Sequence, residues 1–313
     1  MTMNQPYDIV CIGCMVEDLL LSDVPKDFYL RDTIFLQKME SNIGGDAANQ
    51  AVISAHLGNR TALVSERGAD GSGQWLHEFL TREGVDTSMI EVVPGRRTPT
   101  SVLAITDGDR HAMILPLSET GYGRPELDYG ILDQTKAVSI GSMKMYPRLD
   151  EQLPAFFRAA REKGVITAGD VMQKKGPDTL REVYPYLDYF FPNETEGEEV
   201  TGESDPEKMA EKLLSWGVGC AVIKLGGKGC YVNDGREAFY VPARRVEAVD
   251  TTGAGDNFVA GFLTALVHGL GHRRAAEFAT AVSSICVQHI GTTTGVKNLR
   301  QVLDVLGWES LAE

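Results

Sequence analysis

Basic charge is scarce in this chain: 30 Lys and Arg stand against 44 Asp and Glu, a formal net charge of −14. That sign argues against nucleic acid and anionic membrane surfaces as partners, since both recruit basic patches. Any anionic ligand must be held by local dipoles or by metal. Cysteines are few and odd in number. Cys11, Cys14, Cys220, Cys230 and Cys286 sit mostly in apolar strand or helix contexts, as reduced core residues do. The Cys11-x-x-Cys14 pair lies within a strand pattern, where a redox turn would open a helix, and no second pair completes a zinc site. The six histidines do not cluster with acids or cysteines at ligand spacing, so neither a His-based metal site nor a nucleophile triad is indicated. Long apolar runs are missing too. The longest, Phe258 to Leu270, is interrupted by Gly and His and is too short to span a bilayer. The first residues lack a basic stretch followed by an apolar core, so the expectation is a cytoplasmic protein without a signal peptide. Neither Gly-x-x-x-x-Gly-Lys-Ser/Thr nor a His-Arg-Asp and Asp-Phe-Gly set occurs, which removes the P-loop and protein-kinase branches. Repeats, low-complexity tracts and a linker rich in Pro, Gly or Ser are absent, so 1–313 reads as a single domain.

What is present is alternation. Short β-branched runs at Ile9 to Ile12, Thr61 to Ser65, Ala137 to Ile140, Val165 to Ala168, Tyr189 to Phe191 and Ala221 to Lys224 read as strands. Between them, Gln74 to Arg82, Asp150 to Lys163, Pro206 to Trp216 and Arg273 to His289 carry apolar residues at three and four spacing. The alternation predicts an α/β fold with a doubly wound, mostly parallel sheet. Two regions break it: Ile34 to Glu40, and Thr98 to Thr106 with His111 to Leu115, which read as half-exposed strands turning at Asp107-Gly108-Asp109.

Two glycine segments carry chemistry. In Asp250-Thr-Thr-Gly253-Ala254-Gly255-Asp256, small residues let the backbone turn into a first helical turn whose free N–H groups and positive dipole end face an anion. A carboxylate beside a bound phosphoryl group would be repelled unless it had work there, such as accepting a proton from an attacking hydroxyl. A glycine turn opening a core helix, with Asp256 placed by the dipole, explains the same residues structurally. The second segment, Ser41-Asn-Ile-Gly44-Gly45-Asp46-Ala-Ala-Asn49-Gln-Ala51, runs into another helix, with Gly58 and Gly68 behind it. Its paired glycines allow close backbone approach, and Asn49 offers donor and acceptor to vicinal hydroxyls.

Together the segments resemble the paired signatures of the ribokinase-like family, the PfkB carbohydrate kinases. Gly44-Gly45-x-Ala47-x-Asn49-x-Ala51 with Gly58 and Gly68 matches the first, and Asp250 to Asp256 through Ala260-Gly261 the second. They stand in family order about 200 residues apart. The resemblance implies a three-layer ribokinase-like fold with a small β-sheet lid, drawn from about 19–41 and 96–118, over a sugar site and often serving as a dimer interface. It implies ATP and Mg²⁺ as co-substrate and cofactor, and transfer of the γ-phosphoryl group to a hydroxyl of a small ribose- or fructose-like sugar. Asp256 would be the base, with Gly253, Ala254 and Gly255 as backbone donors. Asp18, in Gly13-Cys-Met-Val-Glu-Asp18 after the first strand, matches a Gly-x-x-x-x-Asp motif and would hold sugar hydroxyls with Gly44, Gly45 and Asn49. Many members carry Asn where this chain has Val16. Asn193-Glu-Thr-Glu196 resembles an Asn-x-x-Glu motif, Glu196 orienting Mg²⁺ through water; an acidic helix start is the structural alternative. Lys224, Gly226 and Gly229 resemble a nucleotide-side loop, although a hairpin turn explains these glycines equally well. Asp170 resembles a strand-end Asp facing phosphates, but the residues after it depart from the commoner motif. Asp250 and Thr252, with the loop His289 to Gly295, would suit a monovalent cation, K⁺. A nucleoside kinase remains open, with Phe28, Tyr29 and Phe35 beside the base. So do a sugar-phosphate kinase, with Arg96, Arg97 or Lys144 as clamp, and a non-catalytic sugar-binding regulator.

Overall fold

The first strand, β1 (Tyr7–Ile12), is buried on both faces, and its residues divide by parity: Ile9 and Cys11 enter one hydrophobic core, Val10 and Ile12 another. A strand covered on both sides needs helices on both sides, which is the condition for a parallel three-layer fold. The computed structural model describes residues 6–36, 38–106, 109–114, 126–172 and 180–311. After β1 come β2 (Val16–Leu21), β3 (Met39–Gly44), α1 (Asp46–His56), β4 (Thr61–Gly68), α2 (Gly71–Arg82), β5 (Ile90–Val93), β6 (Thr100–Thr106) and β7 (Asp109–Ile114). The middle holds β8 (Thr135–Met143), α3 (Pro147–Asp150), α4 (Leu153–Glu162), β9 (Ile166–Val171), β10 (Tyr189–Phe190), α5 (Glu194–Thr201) and α6 (Pro206–Ser215). The last part is β11 (Cys220–Lys224), β12 (Cys230–Asn233), β13 (Ala238–Val241), α7 (Ala254–Val267), α8 (His272–Cys286) and α9 (Leu299–Leu306).

Nine strands form the main sheet in the order β13-β12-β11-β10-β9-β8-β1-β4-β5. Pairs from β11 to β5 are parallel, while β12 and β13 continue the edge antiparallel. Residues of α1, α2, α7, α8 and α9 fill one core and residues of α4 and α6 the other. The chain leaves β1 towards β4 and later returns to β8 on β1's other side. Such a reversal opens a crevice at the C-terminal strand ends, where α/β proteins bind ligands.

A second sheet, in the order β3-β2-β6-β7, stands apart from the first. Its β2 alternates Val16, Asp18 and Leu20 inward with Glu17, Leu19 and Leu21 outward. Two expectations change here. Asp18 does not sit at the end of the first strand but inside β2, paired in register with Asn42 and Ser101. The strand expected at Ile34 to Glu40 begins only at Met39: Ile34, Phe35 and Leu36 precede the sheet, Phe35 exposed, and the residues that pair with β2 run from Met39 to Gly44. The expected turn at 107–109 lies largely outside the described residues. The helix expected from Asp150 to Lys163 is two helices, α3 and α4, with Pro154 in the first turn of α4.

Among the described residues, no helix is long and apolar enough to cross a membrane. All five cysteines are free and buried, so Cys11 and Cys14 are core residues.

Candidate active site

Two helix N-termini meet at the crevice. Gly253, in the left-handed region at φ +71°, turns the chain into α7, and a Cβ there would stand 2.8 Å from the Cβ of Thr292. Only glycine meets both conditions cheaply. Asp256 follows in the first turn of α7, with its carboxylate buried. Gly45 likewise opens α1, whose first residue is Asp46. The free N–H groups of both first turns and their positive dipole ends therefore bear on the same space.

Hydrogen bonds lock the turn to its surroundings. Asn49 Nδ2 donates to Asp256 Oδ2 at 2.7 Å, and Thr292 Oγ1 lies 2.9 Å from Asn49 Oδ1 and 3.0 Å from the Ile43 carbonyl. Asn257 Nδ2 donates to the carbonyls of Gly253 and Thr292, both at 2.8 Å, tying the turn to the 288–295 loop. Asp250 Oδ1 accepts from Thr252 N and Oγ1 at 2.9 and 2.6 Å, and its Oδ2 accepts from Gly291 N at 2.9 Å.

Lys224, at the end of β11, supplies the cation. Its Nζ lies 3.9 Å from Asp170 Oδ2, and a Cβ at Gly255 would stand 3.2 Å from Nζ, so Gly255 makes room for the ammonium beneath the α7 turn. Around it gather Asp46, Asp170, Asp256 and Glu196. Burial alone would lower the Lys224 pKa; the four carboxylates outweigh it and hold the pKa up. The carboxylates respond in the opposite way. Burial pushes Asp256 well above the ordinary range, helped by Asp46 and Asp170, while Asn49 and Lys224 work against the rise. Asp170 is pushed up to about 8 by burial, with Asp46 and Glu196 adding to it and Lys224 opposing. Asp46 rises by burial against the Ser142 hydroxyl, which donates to its Oδ2, and Lys224. Ser142 also gives its N–H to Asp170 Oδ1 at 3.0 Å.

Beside this cluster lies a cavity of about 180 Å³, lined by Asp18, Gly45, Asp46, Asn49, Ser101 and Asp256 among others. Asp18 reaches it from β2 of the second sheet, accepting from the Ser101 hydroxyl. Gly44 leaves space for that carboxylate, since a Cβ at 44 would collide with it. A larger depression of about 400 Å³ lies at the N-terminal ends of β9, β10 and β11, at the other end of the strands, and shares no lining residue with this cavity.

The fold thus brings together Asp18, Gly45, Asn49, Thr252, Gly253 and Asp256 on one cavity, while Lys224 and Gly255, packed on each other, are not among its lining residues. Other expected residues are placed differently. Asn193 and Glu196 make a capping box for α5: Asn193 Oδ1 accepts from Glu196 N at 2.9 Å and Glu196 Oε2 from Asn193 N at 2.8 Å. Gly226 borders open space, whereas Gly229 serves the β11–β12 hairpin, where a Cβ would run into the Val241 carbonyl. Lys144 is buried, its Nζ 3.8 Å from Glu199, and Arg96 donates to Glu66 at 2.6 Å. Neither lines the cavity, nor does exposed Arg97. Tyr29 and Phe35 are exposed and stand outside the cavity, as does Phe28. Contrary to the sequence spacing, His272 does meet acids, Asp234 and Glu237, but on the hairpin edge away from this site. Sequence alone assigns no role to Asp46, Ser142 or Asn257, and places Thr292 only within the 289–295 loop. Asp46 directly follows the Gly44-Gly45 pair, and Asn257 directly follows Asp256, so position alone could have flagged both.

A glycine-opened helix start, a buried carboxylate in the same turn and a lysine at the C-terminal edge of a parallel sheet suit a small-molecule phosphotransferase. Comparison with known proteins gives the family. Residues 7–299 match the pfkB family carbohydrate kinase. The chain is 27% identical to ribokinase of Haemophilus influenzae over 313 residues, 95% of this chain and 98% of that one. It is 30% identical to cytidine kinase of Thermococcus kodakarensis over 247 residues, 75% of this chain and 86% of that one. The structure of Arabidopsis thaliana ribokinase complexed with ribose and ATP superposes with a TM-score of 0.84 at 27% identity, covering 97% of this chain and 99% of that chain. The chain belongs to the pfkB family of carbohydrate kinases and is an ATP-dependent carbohydrate kinase with the ribokinase fold.

Proposed function

We propose that this kinase transfers the γ-phosphoryl group of ATP to a hydroxyl of a small, ribose- or fructose-like sugar. The observation that carries the proposal is the shared cavity: Asp256 faces the same small space as Asp18 and Asn49. Asp256 accepts the hydroxyl proton, and the oxygen forms its bond to phosphorus as the bond to the leaving phosphate of ADP breaks. Backbone N–H groups of Gly253, Ala254 and Gly255 stabilise charge on the moving phosphoryl group. Lys224 adds a positive charge under the same turn. Asp18, with Gly44 and Gly45 giving it room, holds sugar hydroxyls, and Asn49 orients the base through its 2.7 Å bond. Gly226 borders the nucleotide side.

Glu196 offers a carboxylate to Mg²⁺, which keeps several waters and needs one or two carboxylates, with the Lys224 ammonium also close. Glu196 would hold it through water and Asn193 would fix Glu196, while the ion neutralises phosphate charge when bound. Both oxygens of Asp250 already serve Thr252 and Gly291, so protein groups shape this corner in the proposal and a potassium site is not needed. Equal kcat in potassium, sodium and tetramethylammonium salts is expected; a rate requiring potassium would restore the cation site.

A cavity of about 180 Å³ favours one sugar ring over a nucleoside, being small against the roughly 300–1,000 Å³ of drug-sized pockets. The second sheet acts as the lid. Next to it, Tyr29, Leu30, Phe35 and Met39 are exposed, Phe35 at 95%. Apolar side chains exposed in this number fit a second copy of the chain, so a homodimer through the lid is expected. Sedimentation should give a dimer that a Phe35→Asp, Met39→Asp variant converts to monomer; a monomeric wild type at high concentration would refute it. A coupled ADP-release screen across pentoses, hexoses, sugar acids, sugar phosphates and nucleosides, each with MgATP, tests the function itself. Turnover of a nucleoside alone would move the substrate class, and tight sugar binding without turnover would mark a regulator.

A further inference from the structure

Asp46 has no part in the transfer as proposed, yet it occupies its centre. Oxygens of Asp46, Asp170 and Asp256 lie within 4.8 Å of one another, brought there by three separate elements: the first turn of α1, the end of β9 and the first turn of α7. Two like charges at that separation in a largely buried site repel strongly, and among the described residues three do so around one ammonium group, Lys224. Among the described residues, the remaining neighbours do not relieve the excess. Glu196 on α5 adds negative charge, and Asp18 on β2 lines the same cavity. From β1 and the segment after it come Cys11 and Cys14, and from α8 Cys286, buried thiols that stay neutral, Cys14 and Cys286 pushed up to about 12. Asn49, Gln50 and Ser142 contribute only neutral hydrogen bonds.

We infer that Asp46 is a positioning residue that acts on Asp256 by charge: the three carboxylates hold one proton in common, and its departure sets the pH at which Asp256 is free to accept the substrate proton. The inference rests on Asp256 being the base. A shared proton belongs to the cluster, so its titration appears as one limb of the rate profile. The chemistry balances simply. Below that limb the cluster is protonated and the base is blocked; above it the proton has gone to solvent, and the carboxylate takes the acceptor's hydroxyl proton as the oxygen attacks phosphorus and ADP leaves with the electron pair. Ser142 bridges two members, donating its hydroxyl to Asp46 and its N–H to Asp170, and so fixes their spacing.

The test is the pH dependence of kcat/KM at saturating MgATP for wild type, Asp46→Asn and Asp46→Glu. Asn removes the charge and keeps the shape; its acid limb should move down by about one pH unit or more, leaving on the order of tenfold more of its plateau rate at the wild-type midpoint's acid side. Glu keeps the charge and should keep the midpoint, whatever its plateau. A lower plateau with an unmoved midpoint in Asn would overturn the inference and leave Asp46 a purely structural residue. So would a wild-type midpoint that shifts with free Mg²⁺ while that of Asn does not, because the carboxylates would then serve a metal. If Asp46→Asn is insoluble, Asp46→Ser against Asp46→Glu gives the same comparison. Failure of the underlying assignment reads differently: Asp256→Asn would retain wild-type turnover.

Discussion

At the scale of the residue, Asp256 is held in a conflict that suits a base. Burial and two neighbouring carboxylates favour its proton, while Asn49 and Lys224 favour its charge. A base with a raised pKa accepts a proton more readily in the transition state than a solvated carboxylate does. Asp256→Asn keeps the size, and the Asn49 contact can persist by rotation of either amide. The fold and sugar affinity should therefore hold while kcat falls by about 10²- to 10⁴-fold, the usual worth of a positioned base. Steady-state ADP release together with sugar binding by calorimetry checks the split. Wild-type turnover in the variant would show that the hydroxyl loses its proton elsewhere.

At the scale of the element, the turn that opens α7 is built by parts distant in sequence. Asn257, buried next to Asp256 in the first turn of α7 and 35 positions from Thr292, joins the Gly253 carbonyl to the Thr292 carbonyl. Replacing it with Ala takes the amide donor from both carbonyls, of which that of Gly253 keeps the Asn257 backbone N–H, and costs about 1–3 kcal/mol. The loss should be local as well. Amides of 253–256 should exchange faster in Asn257→Ala, with kcat reduced and the substrate KM little changed; unaltered exchange there would mean that the loop does not brace the turn. The same geometry explains what could be read beforehand. Period and glycine spacing located the parallel strands, α7 and the residues Gly44, Gly45, Asn49 and Gly253 to Asp256, because each depends on local backbone rules. Asp18 was found, but its strand was not, since the inward alternation of Val16, Asp18 and Leu20 places a carboxylate where a strand pattern expects an apolar residue. Pairings across the chain stayed invisible. Nothing local tells that Thr292 meets Asn49, that Gly255 clears Lys224, or that Lys144 turns into the interior beside Glu199.

At the scale of the whole molecule, a negatively charged protein concentrates part of its unpaired charge in one buried place, and stability should register it. Asp46, Asp170, Glu196 and Asp256 all have folded pKa values above their unfolded ones. A raised carboxylate pKa means that the folded state binds more protons, so its stabilising effect is full below the unfolded pKa near 4 and is lost as pH rises through the folded value, about 8 for Asp170. Other groups act in other windows. Asp8, Asp70, Asp86 and Asp234 are lowered, and their contribution falls away only on acidification below about pH 4. His268, exposed just after α7, is also lowered and adds stability as pH rises towards 6.5, but not beyond. The range from pH 6.5 to 8 is therefore where the carboxylate cluster dominates. There the Tm of the ligand-free protein should decline with rising pH, and Asp46→Asn should flatten the decline and melt about 2 °C or more above wild type at pH 8. Scanning calorimetry at constant ionic strength reads both curves. Parallel curves for the two proteins would mean that Asp46 carries no uncompensated charge in the folded state, and the strain would have to be sought at Asp170 and Glu196 instead.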